Sequence, residues 1–264
     1  EALPGSTEAD STDEACRSLE FGIAGASTLW SDGEVETFIA ASGMSPHYVH
    51  GFVNLGDDLP SAGIVTTEAL GHEVIVTLEP WILDTVSDRP LRRLAEGEFD
   101  EQIRSTADQF AALDAAPIVR FGHEMNGNWY PWGRTGNDPQ DYVDAFRRTV
   151  ALFDEQGVTN VRWLWTPNAA GAGGEPLADY FPGDDVVDLV GLDGYNGGSA
   201  LPRMGGWLSP AELLEPTLIE IEALSDKPII VAETASARSG GDRARWVEDL
   251  VAMLRRHPRV VGFV

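Results

Sequence analysis

Eight short apolar runs separated by helical patterns, across 264 residues with no linker or shift in composition, predict a single (β/α)8 TIM barrel. The runs are strand-sized and mostly apolar at both alternations, as strands buried on two faces require. Hydrophobic residues make up 43% of the chain, enough for a sizeable core.

In order, the strands are expected at 21–27, 47–55, 72–78, 116–123, 160–166, 186–195, 227–234 and 259–264. Between the fourth and fifth, "DPQDYVDAFRRTVALFDEQG" carries Tyr142, Phe146, Thr149, Val150 and Phe153 at helical spacing, with Asp138 placed to cap its start and Gly157 to end it. The preceding helix repeats the pattern with Phe99, Ile103, Ala107 and Phe110. Residues 1–18, "EALPGSTEADSTDEACRS", read as a flexible acidic leader, and 19–264 as one catalytic barrel. The last run stops at Val264 inside the eighth strand, so the barrel is expected to be cut off there, before an eighth helix.

There are 43 acidic residues against 18 basic, for a formal net charge of −25. That balance disfavours nucleic acid, anionic membranes and polyanionic substrates, and suits a neutral one. The single cysteine, Cys16, excludes an internal disulfide and any zinc site built on several thiolates. No apolar run is long enough to span a bilayer.

Gly-His-Glu occurs twice. His72-Glu73 opens the third strand, whereas His123-Glu124 closes the fourth and runs into a loop rich in glycine and asparagine. Active sites of such barrels lie at the C-terminal strand ends, so the first copy reads as scaffold and the second as chemistry. Neither continues as His-Glu-x-x-His, since Val76 and Gly127 occupy the last position. The same positional test selects Glu79 and Trp81 after strand three and Trp165 and Asn168 around the end of strand five. It also selects Asp193, Tyr195 and Asn196 on strand six and Glu233 on strand seven.

Two glutamates on strands four and seven would face each other across the mouth. Glycosidic hydrolysis needs that arrangement, one carboxyl protonating the leaving oxygen while the other attacks the anomeric carbon. A gap of about 5–5.5 Å would mean retention of configuration. Tryptophans beside the C-terminal loops, Trp81, Trp129, Trp132, Trp165 and Trp207, offer flat faces for sugar rings, and Asn126 and Asn168 offer hydrogen bonds to hydroxyls.

"RFGHEMNGNWYPWG" followed by "IIVAET" resembles glycoside hydrolase family 26, over a span from about Phe21 to the end. The resemblance implies Glu124 as acid/base and Glu233 as nucleophile. It implies His123 shaping the cleavage subsite, Arg120 at its foot, Trp129 lining it, and Asp193 with Tyr195 on strand six, the tyrosine bonding the nucleophile. Trp81 resembles a further subsite aromatic. The family's tryptophan at the end of strand eight has no counterpart here, because the sequence stops before that position.

The expected activity is therefore a retaining endo-β-glycanase, first an endo-β-1,4-mannanase, secreted and monomeric, with a neutral polysaccharide as its partner and no metal or organic cofactor. Mixed-linkage β-1,3-1,4-glucan or β-1,3-xylan are the alternatives with the same machinery. A catalytically silent carbohydrate-binding barrel is the reading from another class, and the paired carboxylates speak against it. A metal-dependent hydrolase is disfavoured because His47, His50, His72 and His257 are not expected to gather with His123 at the strand ends.

Overall fold

A computed structural model describes residues 18–25, 27–30, 33–83, 89–169, 176–201 and 205–264. Cys16 and nearly all of the acidic leader lie outside them. Eight parallel strands close into a barrel in sequence order. They are β1 (Glu20–Ala24), β2 (Tyr48–Asn54), β3 (Glu73–Glu79), β4 (Ile118–Phe121), β5 (Arg162–Trp165), β6 (Leu189–Asn196), β7 (Ile229–Ser236) and β8 (Val260–Phe263). Closure comes from Glu20 and Phe21 of β1 pairing with Gly262 and Phe263 of β8. The outer layer is α1 (Glu34–Ser42), α2 (Ser61–Ala69), α3 (Pro90–Ala95), α4 (Asp100–Ala111), α5 (Pro139–Glu155), α6 (Pro210–Leu224) and α7 (Arg243–Leu254), with a 3-10 turn at Leu177–Tyr180. Each predicted strand is present; β2, β4, β5 and β8 are trimmed within the expected run, while β3 and β7 keep its length and shift one and two residues toward the C-terminus.

The period-2 alternation of strand side chains sorts the core into two layers. Inside the barrel lie Tyr48, Ile75, Ile118, Leu164, Leu189, Ile230 and Ala232, a plug beneath the mouth. Their neighbours, such as Val74, Val76, Val119, Trp163, Trp165, Val190 and Val231, point outward and pack under the helices. α5 shows how the outer layer is attached. Asp138 caps it through a reciprocal capping box with Asp141, Pro139 pre-sets the first turn, and Gly157 follows the end with φ 75°. Its apolar stripe then buries Phe146 between Phe121 of β4 and Trp163 of β5, with ring centroids 6.1 and 5.8 Å away.

The first Gly-His-Glu copy lies on the N-terminal face. His72 meets the Pro46 carbonyl through Nδ1 at 2.7 Å, and Glu73 pairs with Arg162 at the start of β5 and with His47 at 3.3 Å. These contacts tie strand beginnings together and leave the opposite face for chemistry.

Phe146 is fully buried. Phe146→Ala is expected to lower unfolding free energy by about 3–5 kcal/mol, read by urea denaturation, against about 0.5 kcal/mol or less for the exposed Ile219→Ala.

Candidate active site

Above the apolar plug, the inward positions of β2, β3 and β4 and the residue just after β5 switch to His50, Thr77, Arg120 and Thr166, all buried. Arg120 has no exposed surface, and its donors are used in three directions. Nε donates to Thr77 Oγ1 at 2.7 Å, and Nη1 donates to both carboxylate oxygens of Asp193 at 2.9 and 2.8 Å. Nη2 donates to Oε1 of Glu233. Thr77 Oγ1 also lies 2.7 Å from His50 Nε2, so a polar chain runs across the floor from β2 to β7. Burial, and then the Arg120 charge, push the His50 imidazole down to about 3, so it is neutral near pH 7.

Glu233 reaches this chain through a defect in the sheet. Leu192 pairs with Val231, but Asp193 pairs with Glu233, which leaves Ala232 without a partner on β6. Strict alternation from Ile230 and Ala232 would turn residue 233 outward; the bulge re-aims it beside Asp193. Its other oxygen accepts the Tyr195 hydroxyl at 2.6 Å. Burial alone would raise the Glu233 pKa. Arg120 first, with the Tyr195 hydrogen bond, reverses this and holds the carboxyl at about 2.

Glu124 has the opposite environment. Its backbone is in the left-handed region at φ 55°, unusual for a residue other than glycine and a local strain of order 1–3 kcal/mol. The turn survives because Glu124 N–H donates to the Thr166 carbonyl at 2.9 Å and its own carbonyl accepts from Gly127 at 2.9 Å. The carboxyl accepts Asn168 Nδ2 on Oε1 and Trp129 Nε1 on Oε2, both at 2.7 Å. Burial raises its pKa; the two N–H donors oppose that rise, and negative Glu233 adds to it.

The residues expected to touch substrate fall into three groups. Trp129 and Trp81, 52% and 47% exposed, and Tyr195 present surface at the mouth. His123 is buried, with Nε2 3.2 Å from the Tyr130 hydroxyl and 4.0 Å from Glu233 Oε1, and burial lowers its pKa well below the usual value. Arg120 and Asp193 are wholly buried and act on Glu233, so neither offers a surface to sugar.

Trp132 and Trp165 depart from the expectation. Trp132 is fully buried, stacked on Tyr130 at 4.3 Å, and donates Nε1 to the His123 carbonyl at 2.7 Å, so it braces the loop. Trp165 follows inward Leu164 on β5 and points outward against Phe181 at 5.1 Å; strand parity takes it out of the mouth. Asn126 and Asn168 bond each other, and Asn168 alone of the two bonds Glu124.

Sequence reasoning passed over Thr77, Tyr130 and His50. His50 is mid-strand, and the floor chain joins it to the site through Thr77 and Arg120. The signal for Thr77 was a lone hydroxyl at an inward position of the apolar run "VIVTL".

The family model for glycosyl hydrolase family 26 matches residues 88–215, which include the Glu124 loop and β6. Endoglucanase H of Acetivibrio thermocellus is 32% identical over 234 residues, 85% of this chain and 25% of that protein. The chain belongs to glycosyl hydrolase family 26. A mannan endo-1,4-beta-mannosidase of Bacillus subtilis is 34% identical over 85 residues, 30% of this chain and 23% of that protein. The family 26 chain thus spans about a quarter of the length of these two relatives. A modular endo-beta-1,4-mannanase from Cellulomonas fimi superposes with a TM-score of 0.72 at 20% identity, covering 93% of this chain and 64% of its own, and shares the fold.

Tyr195→Phe removes one donor from Glu233 and is expected to raise its pKa above about 2. Carbon-13 NMR titration of the glutamate carboxyls reads that change; an unmoved Glu233 would mean that Arg120 alone holds it.

Proposed function

We propose that this barrel is the catalytic domain of a retaining endo-β-glycanase acting on a neutral plant polysaccharide, with β-1,4-mannan as its first substrate. The observation that carries the reading is the pair of carboxyls in opposite settings, Glu233 on the buried Arg120 and the Tyr195 hydroxyl, Glu124 on the neutral N–H donors of Asn168 and Trp129. Double displacement needs a protonated acid and an ionised nucleophile at the same pH.

In the first step the ionised Glu233 attacks the anomeric carbon while Glu124 delivers its proton to the departing glycosidic oxygen. As Glu233 gives up its charge to the new bond, Arg120 remains balanced by Asp193. Glu124, now a carboxylate, keeps the Asn168 and Trp129 N–H donors. In the second step it takes a proton from water, whose oxygen attacks the same carbon and frees Glu233. The exposed Trp129 and Trp81 supply flat surfaces for sugar rings.

A second reading keeps the machinery and changes the polymer to β-glucan. It is favoured by the 85% of the chain that aligns with a protein named as an endoglucanase, against 30% with the Bacillus subtilis mannosidase. Secretion follows from the size of a polymeric substrate, and a monomer suffices because both carboxyls come from one barrel.

The two ionisations set the pH dependence. Glu233 works ionised, so rate is lost as pH falls through about 2; Glu124 works protonated, so rate is lost as pH rises through its raised value. Glu233→Ala is expected to abolish turnover on every substrate. Glu124→Ala is expected to cost about 10²–10⁴-fold on polysaccharide and far less in kcat/KM on an aryl glycoside with a good leaving group. Equal losses would remove Glu124 from the acid role. Reducing-sugar release from galactomannan, glucomannan, barley β-glucan and β-1,3-xylan separates the polymers. Silence on all four with binding retained would overturn the enzymatic reading.

A further inference from the structure

Resting on the glycosidase reading, we propose that Asn126 is a positioning residue for the acid/base, acting through Asn168, and is not a sugar ligand. Asn168 forms an isolated parallel bridge with Asp193: the Pro167 carbonyl accepts from Asp193 N–H at 3.0 Å, and Ala169 N–H donates to the Asp193 carbonyl at 2.6 Å. In a parallel ladder those rungs face one neighbour, so the N–H and C=O of Asn168 itself face the other side, toward β4. There β4 has already ended at Phe121, and no strand backbone continues the pairing.

The Asn126 side chain takes the place of the missing backbone. Its Oδ1 accepts Asn168 N–H at 2.8 Å, and its Nδ2 donates to the Asn168 carbonyl at 2.9 Å. A carboxamide carries an acceptor oxygen and a donor nitrogen on one carbon, the same kinds of group that a peptide offers. One rung earlier, Glu124 N–H donates to the Thr166 carbonyl. The left-handed turn at Glu124 is therefore held between two rungs to the β5 extension, one before the catalytic side chain and one after it.

The second rung also controls a donor. With its backbone fastened on both sides, Asn168 sends Nδ2 to Oε1 of Glu124 at 2.7 Å. That contact orients the carboxyl and stabilises the carboxylate formed after proton delivery. One N–H and one lone pair of the Asn126 amide go to Asn168, and the two bonds together fix its plane against the β5 extension.

An N–H donor favours the ionised form, so loosening Asn168 raises the Glu124 pKa and moves the alkaline limb of the rate profile to higher pH. Misplacing the acid costs most where the leaving group needs a proton. Asn126→Ala is expected to lower kcat/KM on the polysaccharide roughly 10–100-fold, with a several-fold smaller loss on an activated aryl glycoside. Asn168→Ala is expected to shift the limb in the same direction, and the double variant no further than Asn168→Ala alone.

An unmoved limb, additive shifts in the double variant, or a rise in KM alone would overturn the proposal, the last by making Asn126 a sugar ligand. Should Asn126→Ala fail to fold, Asn126→Ser, too short to span both groups, gives the same reading. Carbon-13 titration of Glu124 in these variants reads the pKa without turnover. A wild-type chain inactive on both substrates would sink the glycosidase reading, whereas an active one with an unmoved Glu124 would sink only the clamp.

Discussion

Arg120 is a full charge at the centre of a barrel, and the rest of the site is arranged around that fact. A guanidinium without access to water is tolerable only when its donors are met and its charge is balanced. Thr77, Asp193 and Glu233 meet the donors. Burial pushes the Asp193 carboxyl up against the pull of Arg120, while Glu233 is held ionised with its open end at the mouth. Asp193 is the structural counter-ion and Glu233 the reactive one. They differ because Asp193 is wholly buried while Glu233 borders the cleft and is steadied there by Tyr195.

The backbone gives up regularity at the two places where this arrangement meets the chemistry. On β7, the unpaired Ala232 breaks the alternation so that Glu233 turns inward. After β4, Glu124 takes a left-handed conformation and is held by backbone bonds to the β5 side. Strain of this kind persists only when surrounding contacts over-determine it. Here the bracing comes from Trp132 on the His123 carbonyl and the Asn126–Asn168 pair. Two carboxyls in one cleft thus acquire opposite proton affinities, one from a buried cation and the other from burial beside a negative neighbour.

Much of this was legible in the sequence, for identifiable reasons. Strands buried on both faces announce themselves as apolar runs, and position along a strand separates His123-Glu124 from His72-Glu73 without any structure. The misreadings share one cause. Proximity to a strand end does not say which way a side chain points, and parity sends Trp165 outward while Leu164 goes in. Trp132 lies in the right loop, but its indole N–H is claimed by a backbone carbonyl. Asn126 and Asn168 looked like hydroxyl ligands because the backbone they complete is invisible in a one-dimensional pattern. Thr77 and His50 were passed over because a buried polar floor forms only once β2, β3 and β4 are side by side. The bulge at Ala232 has no sequence mark at all, since "IIVAET" reads equally well as a regular strand.

The central claim is that Arg120 keeps Glu233 ionised at the border of the cleft so that it can form a bond to sugar. The direct measurement uses a 2-deoxy-2-fluoro glycoside with an activated leaving group, which slows release of a glycosyl-enzyme. Intact mass followed by peptide mapping should show one sugar on Glu233, and none on an Arg120→Gln variant that remains folded. A label on Glu124 or Glu79, or hydrolysis with inverted configuration and no label, would contradict the account.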